Sequence, residues 1–192
     1  SVVCSSDVPK PLVPIDDANA SLPVGLGRVG RLPKPVALKD FAQRVFDEVS
    51  DHGMTSALGI QVCGDSDTFV QYVAILPGSG DSLFNEVRAT GVDVYVTSDL
   101  RHHPVTDAIE QARYEARMRS QGIMLGHGMA GESHVRPCFI NTPHAAIESM
   151  WFNYAIDDVP AAIEQATGAR PEVEWFHDTT DPWTLSIAAH RD

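Results

Sequence analysis

The sequence predicts an α/β fold: a mixed, partly parallel sheet with helices on its faces. Three observations carry that prediction. Val73 to Val96 reads as strand, glycine turn, helix and strand, the pattern of a right-handed crossover between parallel strands. The run FVQYVAIL is rich in β-branched and aromatic residues, as a buried strand requires. Before that unit, apolar residues recur at helical spacing.

Each element follows from local signals. Residues 1–34 read as a linker and the start of the domain, because Pro, Ser, Gly and Asp are frequent and no period emerges. An α/β domain over 35–192 follows. Leu38, Phe41, Ala42, Val45 and Val49 share one face of a helix over Pro35–Gly53, with Gly53 placed to cap it. Leu58–Cys63 is a short strand ended by the turn GDSD, and Thr68–Leu76 is the strong buried strand. PGSGD then turns the chain into a helix over Ser82–Thr90, followed by a strand over Val92–Val96. A loop carries Thr97, Asp99, His102 and His103. Pro104 opens the next helix, to about Ser120, where a missing N–H costs nothing. Gly122–Pro137 reads as loop, Cys138–Asn141 as a strand, and His144–Tyr154 as a helix started by Pro143. Val159–Gly168 reads as a further helix, and Glu174–Phe176 and Leu185–Ala188 as edge strands around the TDPW turn.

Composition narrows the function. With 14 Lys+Arg against 26 Asp+Glu, the net charge is −12. That argues against nucleic acid, whose binding needs a basic face to displace counterions, and against an anionic membrane surface. No apolar run approaches the roughly 18 residues of a spanning helix. No basic segment followed by an apolar one marks a signal peptide. Cys4, Cys63 and Cys138 are odd in number and widely spaced, which fits free thiols in a reducing, cytoplasmic setting.

Three motifs bear chemistry. PGSGDS places glycines before a helix, where backbone N–H groups converge on a phosphate. It lacks the Lys of a phosphate loop, and a tight turn needs the same glycines. TSDLRHH sets Thr97, Asp99, His102 and His103 within seven residues, directly after a parallel strand. A carboxylate and two imidazoles there suit ligation or proton transfer. His144 and Glu148 are four apart on a predicted helix, so both side chains reach one spot and one metal ion. Such a pair also arises by chance on helix surfaces. His127 and Glu132 are five apart in a glycine-rich stretch and would not share a helix face; His134 belongs to that loop. His52 and His177 have no evident partner. Trp151, Phe152, Trp175 and Trp183 read as core or interface residues, and Asp107, Glu110 and Glu115 as a solvated helix face.

Five segments occur in a fixed order: GLGRVGRL (Gly25–Leu32), VCGDSDTFVQYVAILPGSGDSL (Val62–Leu83), VTSDLRHHP (Val96–Pro104), PHAAIES (Pro143–Ser149) and TDPW (Thr180–Trp183). Together they resemble the C-terminal half of the NIF-three-like family, the dinuclear-metal-centre proteins also named as homologues of type 2 GTP cyclohydrolase I. TDPW is similar to the actinobacterial members. The resemblance implies two similar α/β domains around a cleft with two divalent ions (zinc, iron or manganese), often in a hexameric ring. It maps His144 and Glu148 onto the family's metal ligands, and Thr97, Asp99, His102 and His103 onto a catalytic segment of the same cleft. Ser98 stands where the family usually has glycine. The family's other ligands belong to an N-terminal half whose motifs are absent from this sequence. About Arg113 to Pro137 resembles an insertion.

The resemblance therefore implies half of a metal centre, inactive alone, from a metal-dependent hydrolase of a small polar substrate. A homo-oligomeric, non-enzymatic scaffold or binding module is the competing expectation. A nucleotide-binding domain built on PGSGDS is the third. Metal content separates the first two.

Overall fold

The structure, a computed structural model, describes residues 9–15, 24–51, 59–123 and 135–174, with the backbone alone at 51 and 149–154. Its elements in chain order are β1 (Val13–Ile15), β2 (Val24–Leu26), β3 (Arg28–Ala37), α1 (Leu38–Asp51), β4 (Gln61–Cys63), β5 (Phe69–Ser79), α2 (Phe84–Thr90), β6 (Val94–Ser98), α3 (His102–Ser120), β7 (Cys138–Thr142) and α4 (His144–Thr167). A five-stranded mixed sheet has the order β3-β5-β6-β7-β4, and β1 and β2 form a separate antiparallel pair. The α/β reading of the sequence holds, including the crossover: β5 and β6 are parallel neighbours, with Val73 opposite Val94. β6 and β7 are parallel as well, from Val94↔Cys138 to Ser98↔Thr142. β3 and β4 close the two edges in antiparallel register.

Strand alternation builds a core on each face. On one face Val70, Val73, Val94, Val96, Cys138 and Ile140 pack with Leu38, Phe41 and Val45 of α1. α4 meets α1 and β5. On the other face Ala74, Tyr95 and Phe139 pack with Val87 of α2 and Ala108 of α3. Leu12 joins this second cluster, so the N-terminal segment contributes to the core. Burying each Val, Leu, Ile or Phe among them stabilises the fold by about 1.5–3 kcal/mol.

Asp93 ties the strands together where β6 begins. It is buried, and its Oδ2 accepts from the backbone N–H of Gln71 (2.7 Å) and Tyr72 (2.9 Å). Arg136 pairs with the other carboxylate oxygen. The backbone carbonyl of Asp93 accepts from Cys138 N–H at 2.8 Å. One residue thus fixes β5, β6 and β7 relative to one another.

Several expectations need correction. β3, Arg28–Ala37, takes in the last residues of the stretch read as linker and start of domain and the first three of the helix expected from Pro35. β5 runs on through Leu76 to Ser79, so Pro77 and Gly78 belong to an irregular strand end and the turn falls at Gly80. β6 extends to Ser98, which places Thr97 in a strand. α3 starts two residues before Pro104, so His102 and His103 form its first turn; proline at the third position still forfeits no helix bond. The two C-terminal helices are one, with Pro160 inside. Glu174 is not in a strand. Cys4, His52, His127, Glu132, His134, Trp175, His177, the TDPW turn and Leu185–Ala188 lie outside the described residues, as do the side chains of Trp151 and Phe152.

Candidate metal centre

The C-terminal ends of β6 and β7 lie side by side, which is where parallel sheets present loops to ligands. Their last paired residues, Ser98 and Thr142, join hydroxyls at 2.8 Å in a buried contact. One residue past Ser98 comes Asp99. Two past Thr142 comes His144, the first residue of α4. The register therefore delivers a carboxylate and an imidazole to the same point. Asp99 Oδ2 lies 2.7 Å from His144 Nδ1. His144 Nε2 lies 3.4 Å from Glu148 Oε1, one helical turn on. All three side chains are partly exposed.

This chain of three has a defined polarity. The two ring nitrogens of an imidazole point away from each other, so Asp99 and Glu148 lie on opposite sides of His144. An ion held by Nε2 is within reach of Glu148 and out of reach of Asp99. A tetrahedral ion with bonds of about 2.1 Å has donor atoms about 3.4 Å apart, the separation of Nε2 and Oε1 here. The pair thus fits two ligand positions of a divalent ion. Among the described residues, no group of three or more His, Cys, Asp or Glu side chains is arranged to hold a metal. The hydrogen bond to Asp99 raises the pKa of His144 above its ordinary value, and Glu148 adds to the effect.

The remaining candidates make other contacts. Thr97 is buried, and its hydroxyl donates to the Gly78 carbonyl at 2.8 Å, so it braces β5 against β6 and turns away from solvent. His102 and His103 stack edge-to-face with ring centroids 5.5 Å apart. His102 lines a cleft of about 510 Å³ between one stripe of α3 (His102, Thr106, Ile109) and the sheet residues Cys63, Phe139 and Asn141. PGSGDS is drawn inward. A Cβ at Gly80 would fall 2.2 Å from both Thr97 Oγ1 and Tyr95 Oη, and the Tyr95 hydroxyl donates to the Gly80 carbonyl. Asp81 pairs with Arg101 at 2.6 Å. These contacts favour the turn reading over a phosphate cradle.

Sequence reasoning overlooked Asn141. Its Oδ1 accepts from the Leu100 N–H at 3.0 Å, which ties the loop after β6 to β7. The available signal was its place opposite Thr97 in a parallel pair, readable only once the register is known.

Comparison with known proteins places the chain in a family. The model of the Duf34/NIF3 (NGG1p interacting factor 3) family matches residues 8–169. The chain belongs to that family. A Duf34/NIF3 chain is similar to a Streptomyces coelicolor protein named GTP cyclohydrolase 1 type 2 homolog, at 33% identity over 183 residues. That match covers 95% of this chain and 54% of the relative. A Mycobacterium tuberculosis protein of the same name is 33% identical over 168 residues, covering 88% of this chain and 36% of the relative. The chain thus spans between about a third and about half of these two relatives. Among solved structures, a Bacillus cereus protein related to NIF3 superposes with a TM-score of 0.58 at 22% identity, covering 85% of this chain and 36% of that one. Staphylococcus aureus protein SA1388 gives 0.56 at 20%, covering 84% and 42%. These two likenesses concern the Duf34/NIF3 fold.

Proposed function

We propose that this chain supplies the His144–Glu148 half of a divalent-metal centre in a metal-dependent hydrolase. On this reading the other ligands come from an N-terminal half beyond the chain, and the complete protein holds two ions. The observation that carries the proposal is the 3.4 Å separation of Nε2 and Oε1, a ligand-to-ligand spacing on a rigid helix. The family's naming as GTP cyclohydrolase 1 type 2 homologues is consistent with hydrolysis of a small polar substrate. A divalent ion held there, zinc, iron or manganese, supplies Lewis acidity when bound.

The chain's own residues then divide the work. His144 and Glu148 hold the ion. Asp99 bears on the far side of the imidazole. His102 and His103, exposed at the start of α3, are the imidazoles available to carry a proton. Thr97, with its hydroxyl committed, has a bracing role.

Metal content by mass spectrometry of the complete gene product tests this. His144→Ala and Glu148→Ala should each lower occupancy, whereas a double change at His127 and Glu132 should not. If His144→Ala keeps its full complement while the His127/Glu132 variant loses it, the assignment is wrong. The scaffold reading draws on a different observation: Val159 and Ile163, four apart on α4, are exposed apolar residues suited to assembly. An assembled protein without metal at stoichiometric level would favour it.

A further inference from the structure

We infer that Asp99 is a positioning residue: its carboxylate accepts a hydrogen bond from the Nδ1–H of His144 and so leaves Nε2 as the lone-pair donor on the Glu148 side. This rests on the metal-centre reading and goes beyond it, since it gives a role to a residue that would not touch the ion.

A neutral imidazole has one N–H donor and one acceptor nitrogen, and the partner of each decides the tautomer. An ionised carboxylate only accepts. At 2.7 Å from Asp99 Oδ2, Nδ1 must therefore carry the proton. Nε2 is then the nitrogen with a free electron pair, and it is the one that faces Glu148. Carboxylates placed in this way behind metal-binding histidines fix the ring and strengthen its donor nitrogen.

The backbone around Asp99 is constrained. Its φ is +56°, a left-handed conformation uncommon outside glycine, though Asp and Asn are the side chains that tolerate it best. Both neighbours are pinned. Ser98 before it is locked to Thr142 by the buried hydroxyl pair, and the N–H of Leu100 after it is held by Asn141. Two tethers from β7 thus secure an unfavourable backbone state whose visible result is the contact with His144. The pair is about two-fifths exposed on each side, so it is no part of the core.

The test uses the 192-residue chain and two substitutions that suit a positive φ. Asp99→Gly removes the carboxylate without backbone strain. Asp99→Asn keeps an acceptor oxygen and removes the charge. Ring ¹⁵N shifts of His144 report the tautomer without any ion, at a pH where the ring is neutral. Titration with Zn²⁺, read at the same resonances, reports affinity. We expect Asp99→Gly to release His144 into a mixture of tautomers and to weaken Zn²⁺ binding about 10–100-fold. Asp99→Asn should retain the tautomer and recover part of the affinity. Unchanged tautomer and affinity in Asp99→Gly would overturn the positioning role. His144→Ala separates the two ideas: if it binds Zn²⁺ as tightly as the parent, the metal-centre reading itself fails; if it loses binding while Asp99→Gly does not, only the role of Asp99 fails.

Discussion

His144 stands between two carboxylates, so its charge state decides what the site can hold. Asp99 stabilises the imidazolium, and the pKa lies above the ordinary 6.5. Below that raised value Nε2 carries a proton and has no electron pair for an ion. Divalent-metal affinity should therefore climb as pH rises through the His144 pKa and level off above it. The linkage to stability has the opposite sign. The ion pair supports the fold fully below about 6.5, and that support is lost as pH rises through the folded value. Because the pair is well exposed, this contribution is small. Proton NMR should show His144 titrating above 6.5, and Asp99→Gly should bring it back toward 6.5. A midpoint at or below 6.5 in the parent chain would contradict the coupling. Cys138 offers a second check. Burial pushes its thiol up to about 11, from an ordinary 9.0. It should resist alkylation by iodoacetamide at pH 8 and react once the chain is unfolded, as peptide mapping would reveal. A protonated buried thiol favours the fold fully below 9 and progressively less between 9 and 11.

Elements depend on close approaches that single substitutions can disturb. Gly80 has φ −107°, an ordinary value, so space and not backbone strain demands glycine there. Gly80→Ala would drive a methyl into Thr97 and Tyr95 and should cost about 1–3 kcal/mol in urea unfolding. Asp93→Ala should cost about 3 kcal/mol or more, because it leaves two strand N–H groups and a guanidinium without their acceptor. A loss within 0.5 kcal/mol for either would show that the neighbours relax freely. The same element-level physics explains what the sequence disclosed. The β5–α2–β6 unit was legible because its apolar runs and glycines report directly on period and turn. The His144–Glu148 pair was legible because helical spacing alone brings it together. β3 was hidden by Pro33 and Pro35. An edge strand accommodates proline, and its register shifts between Arg31 and Val36, where those residues lie. Asp157, Asp158 and Pro160 resemble a helix break, yet Pro160 is buried and the helix passes through it. The contact of Asp99 with His144 was beyond reach, since it depends on which residues of β6 and β7 stand opposite one another.

At the scale of the whole molecule, the acidic charge and the exposed apolar residues pull in different directions. A net charge of −12 opposes association at low ionic strength. Phe69, Tyr72, Val159 and Ile163 offer apolar surface that association would cover. We expect self-association, strengthened by salt that screens the repulsion. Light scattering that gives a monomer mass at high protein concentration, in both low and high salt, would reject this. Among the described residues, no helix is long and apolar enough to cross a membrane. The parallel register of β6 and β7 has an evolutionary consequence. Asp99 and His144 are placed by the two strand ends, though they lie 45 positions apart in sequence. Within the intervening crossover α3 packs on the sheet through Ala108, but the stretch between α3 and β7 can be lengthened, trimmed or given a new task without moving either residue. A single-residue deletion inside β6 or β7 has no such licence: it would turn one partner to the opposite face of the sheet and end the contact. Drift in length should therefore accumulate between Ile123 and Val135 and be purged from the two short strands on either side.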